Sequence, residues 1–286
     1  MKEQICDIIK QVEDRWLDKA TNFLVGHFNK VFLPSHDHTH HVRTWKIARS
    51  MITEIAEYNH TIDDHLVEAV LLATLFHDTG MTVTRDPQHG EAGKYIYSKF
   101  LEGYPELTPS LNHDILRAIE NHDLKEKFVY LPFTLDEPPN VLTITSIADD
   151  RDALGTIGIY RYTEIYLHRE IPHKSLGIQV MQNVATRFNN FIKVSYFFPA
   201  LVKSATMPYR EIIAFFDLYN QQIITEPEPE TTFMGHIGVV NYIRKLSVDG
   251  ITRPEDFPAA MKTERAGKII NDYFKQLKSD LDATNA

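Results

Sequence analysis

The amino-acid sequence predicts an all-α protein, and three observations support this fold class. Apolar residues recur at helical spacing through most of the chain, and the run from Trp45 to Ala56 forms one stripe of an amphipathic helix. Residues 66–76 are apolar almost all round, which is typical of a buried helix. The segments "EGYPELTPS" and "LPFTLDEPPN" contain the proline and glycine of loops. We therefore expect helices joined by irregular segments.

The helices of the first half can be placed in order along the chain. The first continues from a histidine-rich stretch through Ile55, and the second, residues 66–76, ends at "DTG". Two more are expected at residues 91–101 and 111–121. The stretch "VLTITSIADDRDALG" predicts a further helix, although its early threonines and β-branched residues would also suit a strand.

Beyond Gly155 the pattern stays helical. Helices are expected around residues 179–191, 209–221, 234–246 and 263–281. The segment "TEPEPETT" at 225–232 has the composition of a linker, and no internal repeat is present. We therefore expect a helical core over residues 1–225, including an N-terminal helix, and a C-terminal helical extension over residues 226–286.

Composition narrows the class of protein. The chain has 286 residues, of which 43% are hydrophobic and 24% charged, as in an ordinary globular protein. Its one cysteine, Cys6, cannot form an internal disulfide, and neither a signal peptide nor a membrane-spanning run is expected, so we expect a cytoplasmic protein without a membrane partner. A net charge of −9 disfavours an extended nucleic-acid surface. A small anionic ligand bound through metal remains compatible with this charge.

The stretch "SHDHTHHVRTW", residues 35–45, contains four histidines among eleven residues. If a helix begins here, His36 and His40 lie one turn apart and face the same way. His38 and His41 would then point elsewhere. Two of the four imidazoles can therefore share a site.

Further histidines and carboxylates occur at the ends of predicted helices. In "LLATLFHDTG", His77 and Asp78 close an apolar helix, where both can bind one ion because a buried carboxylate needs a partner. Alternatively, Asp78 ends the helix and His77 is a core histidine. His89 stands where a helix starts and His122 where one ends. The segment "SIADDRDALG" offers three carboxylates: Asp149, Asp150 and Asp152.

This ordered set resembles the HD-domain superfamily of metal-dependent phosphohydrolases. "HDHTHHVR" is similar to the opening pattern H-D-x-x-H-x-x-R, which implies His40 as the ligand, and "HDTG" resembles the doublet His77–Asp78 that names the family. "HGEAGK" is similar to H-x-E-x-G-A and implies His89 rather than His113. "AIENHD" and "ADDRDALG" resemble I-x-x-H and A-D-x-x-D-A-x-G, which imply the remaining two ligands, His122 and Asp149. The resemblance covers residues 30–162 and implies a helical bundle.

Two positions depart from the family pattern. Met81 replaces the lysine that many members carry after H-D-x-G, and Thr44 stands where a valine often follows the arginine. The first change removes a phosphate-binding cation. It therefore bears on the substrate and leaves the metal ligands intact.

The residue types suit one or two divalent transition-metal ions. Imidazole and carboxylate ligands bind iron, manganese, cobalt, nickel or zinc, with magnesium also possible, and no cysteine lies near the set. His40, His77, Asp78 and Asp149 suffice for one ion. His89 and His122 could hold a second, with Asp78 as the bridging ligand.

Other residues have expected roles in the reaction. His36 lies where some cyclic-nucleotide phosphodiesterases that this pattern resembles keep the acid for the leaving oxygen, with an exposed histidine as the alternative. Asp37 is either a helix cap or an orienting residue, and Arg43 is expected to support a carboxylate. Three basic residues could bind phosphate or simply be solvated: Lys125, Arg151 and Arg161.

These features predict an enzyme that uses a metal-activated water to hydrolyse a small phosphorylated substrate. The expected substrate is a nucleotide or another phosphomono- or phosphodiester, so the enzyme would be a phosphatase or phosphodiesterase. One alternative is a mixed-valent di-iron oxygenase, because some HD proteins with the same six ligands activate dioxygen. Another is a catalytically silent module that binds a nucleotide and signals through the C-terminal helices. Since all six ligand positions are filled, the silent module ranks last.

Overall fold

The computed structural model describes residues 2–59, 61–86, 88–124, 130–250, 252–261 and 266–285. Over these ranges the chain consists of helices and loops, and no strand occurs among them. The predicted all-α class is confirmed. Within the described ranges, no helix is both long enough and apolar enough to cross a membrane.

The helices of the first half match the predicted order. They are α1 Lys2–Phe28, α2 His38–Ala56, α3 Asp64–Phe76, α4 Gly90–Glu102, α5 Asn112–Asn121 and α6 Val141–Asp152. Helix α6 contains the threonine-rich segment, so the strand alternative for it is wrong. Its residues are buried almost throughout, and this tertiary setting outweighs their β propensity.

The second half is also helical. It contains α7 Gly155–His168, α8 His173–Ser195, α9 Pro199–Thr225, α10 Gly235–Ile243, α11 Phe257–Met261 and α12 Lys268–Asn285. The expected start of the last helix, residue 263, lies outside the described residues. Helix α10 is followed directly by a π-helical turn, Arg244–Val248.

The chain divides into two compact units. The first consists of the residues up to Asp152 together with Asn190–Lys203, and the second of Ala153–Asn189 together with the residues from Ser204 onward. The residues from Ser204 to the expected boundary at 225 and the residues after that boundary both belong to the second unit. The expected division into a core and an extension at that residue stays a prediction.

Helix α3 is the centre of the first unit. It packs against α1, α2, α5 and α6, and every residue from Leu66 to Phe76 is buried. The one carboxylate within that run, Glu68, accepts a hydrogen bond of 2.7 Å from Trp16 Nε1 and pairs with Arg15 at 3.1 Å. The buried charge of Glu68 on this apolar helix is therefore compensated by a hydrogen bond and an ion pair.

Two aspartates determine where α2 and α3 begin. Asp37 accepts a hydrogen bond from the backbone N–H of Thr39 at 2.9 Å, and Asp63 accepts one from that of Leu66 at 2.9 Å. The capping interpretation of Asp37 is confirmed. His36 therefore lies before α2, in the 3-10 turn Pro34–His36, and the expectation that it shares a helix with His40 is wrong.

The second unit has an aromatic core of its own. Phe257 contacts Tyr160 and Phe274 edge to face, with ring centroids 5.8 and 5.1 Å away. Helix α12 packs against α7, α10 and α11. Both units therefore bury substantial apolar surface.

Candidate metal centre

Six buried side chains of the first unit converge on one place. His40 comes from α2 and Asp149 from α6, whereas the others stand at helix ends. Donor atoms of four residues lie within 4.8 Å of one another: His40, His77, Asp78 and Asp149. The same holds for Asp78, His89 and His122. The structure thus brings together all six residues that the sequence predicted as ligands.

Asp78 stands between two sets of imidazoles. We call His40, His77 and Asp149 the first donor group, and His89 and His122 the second donor group. Asp78 Oδ2 lies 3.3 Å from Nε2 of both histidines of the first group. Asp78 Oδ1 lies 2.8 Å from Nε2 of both histidines of the second group. One carboxylate therefore faces both groups, with a different oxygen toward each.

Local backbone geometry orients three of the four histidines. Nδ1 of His77 lies 2.8 Å from the Thr74 carbonyl oxygen, and the corresponding contacts of the second donor group reach Asp86 at 2.8 Å and Ile119 at 2.9 Å. A carbonyl can only accept, so each Nδ1 donates its proton. When neutral, each ring then presents the lone pair of Nε2 to the centre.

The fourth histidine, His40, is oriented by a side chain. Its Nδ1 donates to Asp152 Oδ2 at 2.8 Å. Arg43 Nε and Nη2 donate to the two oxygens of the same carboxylate at 3.0 and 3.1 Å. Asp152 and Arg43 are both buried, so this bidentate pair is protected from water. The expectation that Arg43 supports a carboxylate is confirmed.

The orienting role of Asp152 was not predicted from the sequence. Its signal is the D-x-x-D spacing, because Asp149 and Asp152 lie one turn apart on α6 and share a face. A carboxylate that holds the second nitrogen of a ligating histidine is a common outer partner in metal sites. The spacing alone did not reveal which aspartate faced the centre and which supported it.

The donor set fits divalent metal ions. The centre gathers imidazole lone pairs and carboxylate oxygens at 2.8 to 3.3 Å, so these acceptors need a cation or protons between them. Burial raises the pKa of Asp78, but His77 and the hydrogen bonds from His122 and His40 outweigh burial and hold the pKa well below its usual range. Burial lowers the pKa of His77, yet the carboxylates of Asp78 and Asp149 raise it to about 10. These shifts favour an ionised Asp78 carboxylate and a protonated His77, and a divalent cation would replace the proton.

Two glycines allow the second donor group to reach Asp78. A Cβ on Gly80 would lie 1.9 Å from the carbonyl oxygen of His89, and one on Gly90 would lie 2.2 Å from that of Glu120. The turn after Asp78 therefore packs directly on the start of α4, and α4 packs directly on α5. Any larger residue at either position would separate these backbones.

His41 packs beside the centre without contributing a donor to it. Its ring centroid lies 5.3 Å from that of His40 and 5.1 Å from that of His77. The ring is fully buried, and neither nitrogen has a hydrogen-bond partner among the described residues. Burial, followed by the neighbouring imidazoles, lowers the pKa of His41 well below its usual value. His41 is therefore a neutral neighbour of the first donor group.

The other candidate residues lie in different settings. Ser35 Oγ is 2.6 Å from Nδ1 of His36, whose ring contacts His40 edge to face at 5.2 Å. Arg151 is half-buried on α6, and burial lowers its pKa. Arg161 is buried on α7 in the second unit. Lys125 lies outside the described residues. The expected roles of all four stay predictions.

Comparison with known families agrees with the arrangement of the centre. The family model of the HD domain matches residues 38–154, a range that contains all six donors. Residues 38–154 are thus an HD domain, as the motifs indicated, and its buried histidines and aspartates fit an HD metal site. HD-domain proteins are generally metal-dependent hydrolases. No curated protein and no solved structure matches the chain.

Proposed function

We propose that this protein is a metal-dependent phosphohydrolase that acts on a nucleotide or another small phosphomono- or phosphodiester. The observation that carries the proposal is the position of Asp78, whose two oxygens face two separate donor groups at 2.8 and 3.3 Å. A carboxylate in this position is suited to bridge two ions. Two-metal sites are recurrent in enzymes that cleave phosphate esters.

The two donor groups would each hold one ion together with Asp78. The four imidazole nitrogens favour iron, manganese, cobalt, nickel or zinc over magnesium, which prefers oxygen ligands. Divalent ions in this place would supply a nucleophilic water near neutral pH and offset the charge of the phosphoryl oxygens.

The residues of the chain itself would position these reactants. Asp152 and Arg43 hold the ring of His40, and backbone carbonyls hold the other three rings, so the donors keep their directions without a bound substrate. His36 borders His40 and is 7% exposed, more than any of the four donor histidines. We propose that His36 transfers a proton to the leaving oxygen.

Cations outside the donor set would add to the recognition of phosphate. Met81, buried at the turn after Asp78, cannot supply the charge that a lysine there would provide. We propose Lys125 and Arg151 as residues that bind the phosphate, while the expected role of Arg161, which lies in the second unit, stays a prediction. Lysine and arginine side chains are suited to pair with phosphoryl oxygens.

The test is metal analysis combined with a substrate panel, on protein purified without chelator. The panel would contain nucleoside mono-, di- and triphosphates, cyclic nucleotides and bis(4-nitrophenyl) phosphate, with release of phosphate or nucleotide as the readout. We expect metal-dependent turnover of at least one ester, lost in Asp78→Ala and retained in His65→Ala, which changes an exposed histidine of α3.

The same preparation distinguishes the alternatives. An iron centre that consumes dioxygen in the presence of a substrate, without ester cleavage, would replace the hydrolase proposal by an oxygenase. Nucleotide binding without any turnover would indicate the silent module.

A further inference from the structure

The second unit contains a polar cavity that the HD domain does not explain. Its volume is about 460 Å³, and His173, Glu170, Glu230 and Arg244 are among the residues that line it. Cavities of roughly 300–1,000 Å³ with a few convergent polar groups commonly hold small molecules. All of its lining residues belong to the second unit.

His173 presents a hydrogen-bond acceptor that no described residue uses. Its Nδ1 lies 2.9 Å from Tyr219 Oη, and the Tyr219 hydroxyl donates to the His173 carbonyl oxygen at 3.1 Å. Tyr219 has one proton, and a carbonyl can only accept. Both contacts are therefore satisfied together only when His173 donates from Nδ1, which leaves the lone pair on Nε2.

Nε2 of His173 is buried and has no hydrogen-bond partner among the described residues. The side chain as a whole is only 3% exposed. Burial, and then the charge of Arg244, lower the pKa of His173, so the imidazole is neutral near pH 7. A buried acceptor of this kind is costly unless a donor reaches it. An N–H or O–H group of a ligand would donate a hydrogen bond to this lone pair.

Arg244 and Glu230 carry opposite charges, but they do not form a salt bridge with each other. Both act electrostatically on His173 and on Tyr219, yet no salt bridge to Arg244 forms within the described part of the chain. Nε of Arg244 is buried and lacks a hydrogen-bond partner there. A ligand with one group of each sign would complement both side chains.

The backbone around the cavity is irregular at two places. Arg244 opens the π-helical turn that follows α10, and such turns occur frequently at functional sites. Glu170, two residues after the end of α7, lies in the left-handed region with φ of 56°, where glycine is the usual residue. This backbone conformation is sterically unfavourable for a residue with a side chain, and Glu170 lines the cavity.

We propose that this cavity binds a small zwitterion: an α-amino acid or a compound with the same pair of groups. Arg244 receives the carboxylate, while Glu230 and Nε2 of His173 receive the ammonium group. The described lining residues include one guanidinium, that of Arg244, and carboxylates at three positions, which disfavours a simple anion: Glu170, Glu230 and Asp249. This proposal does not depend on the reaction of the HD domain.

The experiment uses the full chain with its metal bound and takes free L-amino acids, one at a time, as probes. Thermal shift would identify a probe that raises Tm, and isothermal titration calorimetry would measure its Kd. The matching amino-acid amide lacks the carboxylate, and the matching N-acetyl derivative lacks the ammonium group. We expect each loss to weaken binding about tenfold or more, as for a charge-assisted hydrogen bond.

Two charge-removing variants and one control complete the design. Arg244→Gln and Glu230→Gln should each weaken binding of that probe by about tenfold or more. Arg210→Gln, an exposed arginine of the second unit outside the cavity lining, should leave Kd unchanged. Glu230 is exposed, so its variant is expected to fold even if Arg244→Gln does not.

Three outcomes would overturn the proposal. They are the absence of binding by any amino acid to the unaltered protein, equal binding of a probe and its amide or N-acetyl derivative, and an unchanged Kd in the folded Glu230→Gln variant. Metal content and phosphoester turnover, measured on the same samples, report on the HD domain. A failure of the zwitterion site is thereby distinguished from a failure of the proposed hydrolase.

Discussion

The two donor groups around Asp78 are held in place by different means. His40 lies inside α2, and its orientation depends on Asp152, a side chain more than one hundred residues away in sequence. His89 and His122 stand at helix ends, and each is oriented by a carbonyl three residues earlier. The first donor group therefore depends, through His40, on a buried side-chain network, whereas its other histidine, His77, is oriented by the Thr74 carbonyl. The second donor group depends on backbone packing, which Gly80 and Gly90 permit.

The largest effect is expected from Asp78→Ala, because this carboxylate faces both donor groups. We expect both ions to be lost. The metal affinity should fall by at least about a hundredfold, because mutation of residues that only support the ligands already costs up to about that factor. Metal analysis and phosphoester turnover on the same sample provide the measurement. Asp64→Ala, at an exposed position of α3, is the control. Retention of metal and turnover by Asp78→Ala would show that the centre is wrongly assigned.

The double variant His89→Ala/His122→Ala tests the second donor group alone. We expect metal content to fall from about two ions per chain to about one, with loss of turnover, because a two-metal site clamps both reacting oxygens. Metal stoichiometry after removal of free ions is the measurement. A matched double control is His65→Ala/His113→Ala, which removes two exposed histidines of the same unit. Unchanged stoichiometry and rate in the test variant would establish a mononuclear site.

Asp152→Asn tests the side-chain network that serves the first donor group. The amide cannot balance the charge of Arg43, so the ring of His40 should lose its orientation and metal affinity should fall about 10- to 100-fold. Competition with a chelator of known affinity would measure this change. The ion of the second donor group should persist. Equal weakening of both ions would mean that the two groups are not held independently.

The smallest effect is expected from Asp37→Ala, which removes the cap of α2 and none of the donors. We expect the free energy of unfolding to fall by about 1 kcal/mol, as for other N-cap losses, with metal content unchanged. Denaturant unfolding would measure it, beside Asp63→Ala as the corresponding change on α3. If Asp37→Ala also released metal, Asp37 would act on the centre as well as on the helix.

Several parts of the structure could be predicted because they depend on neighbours in sequence. The apolar run of α3 predicted a buried helix, and the motifs that resemble the HD family pointed to the six residues whose donor atoms cluster in the structure. The intrinsic propensities of the residues did not predict the structure of α6. The β-branched residues at the start of α6 are compatible with a strand. Packing against α2, α3 and α5 stabilises the helix instead.

Other features could not be derived from local patterns. A regular helix through the histidine-rich stretch would align His36 with His40, but the Asp37 cap starts α2 two residues after His36. The polar cavity of the second unit brings His173 together with Glu230 and Arg244, which stand far apart in sequence. No spacing rule connects residues on separate helices.

The sequence by itself determined the helical class, the identity of the six donors and their order along the chain. Periodicity predicts the helical class because it follows from the geometry of single helices, whereas the six donors and their order are implied by motifs that resemble those of the HD family. Only the tertiary structure decided that one oxygen of Asp78 faces each donor group and that Asp152 supports His40 rather than joining the donors. These relations depend on how separate helices pack, and distances of 2.8 to 3.3 Å between them are set by side-chain volumes and close backbone contacts across the whole unit.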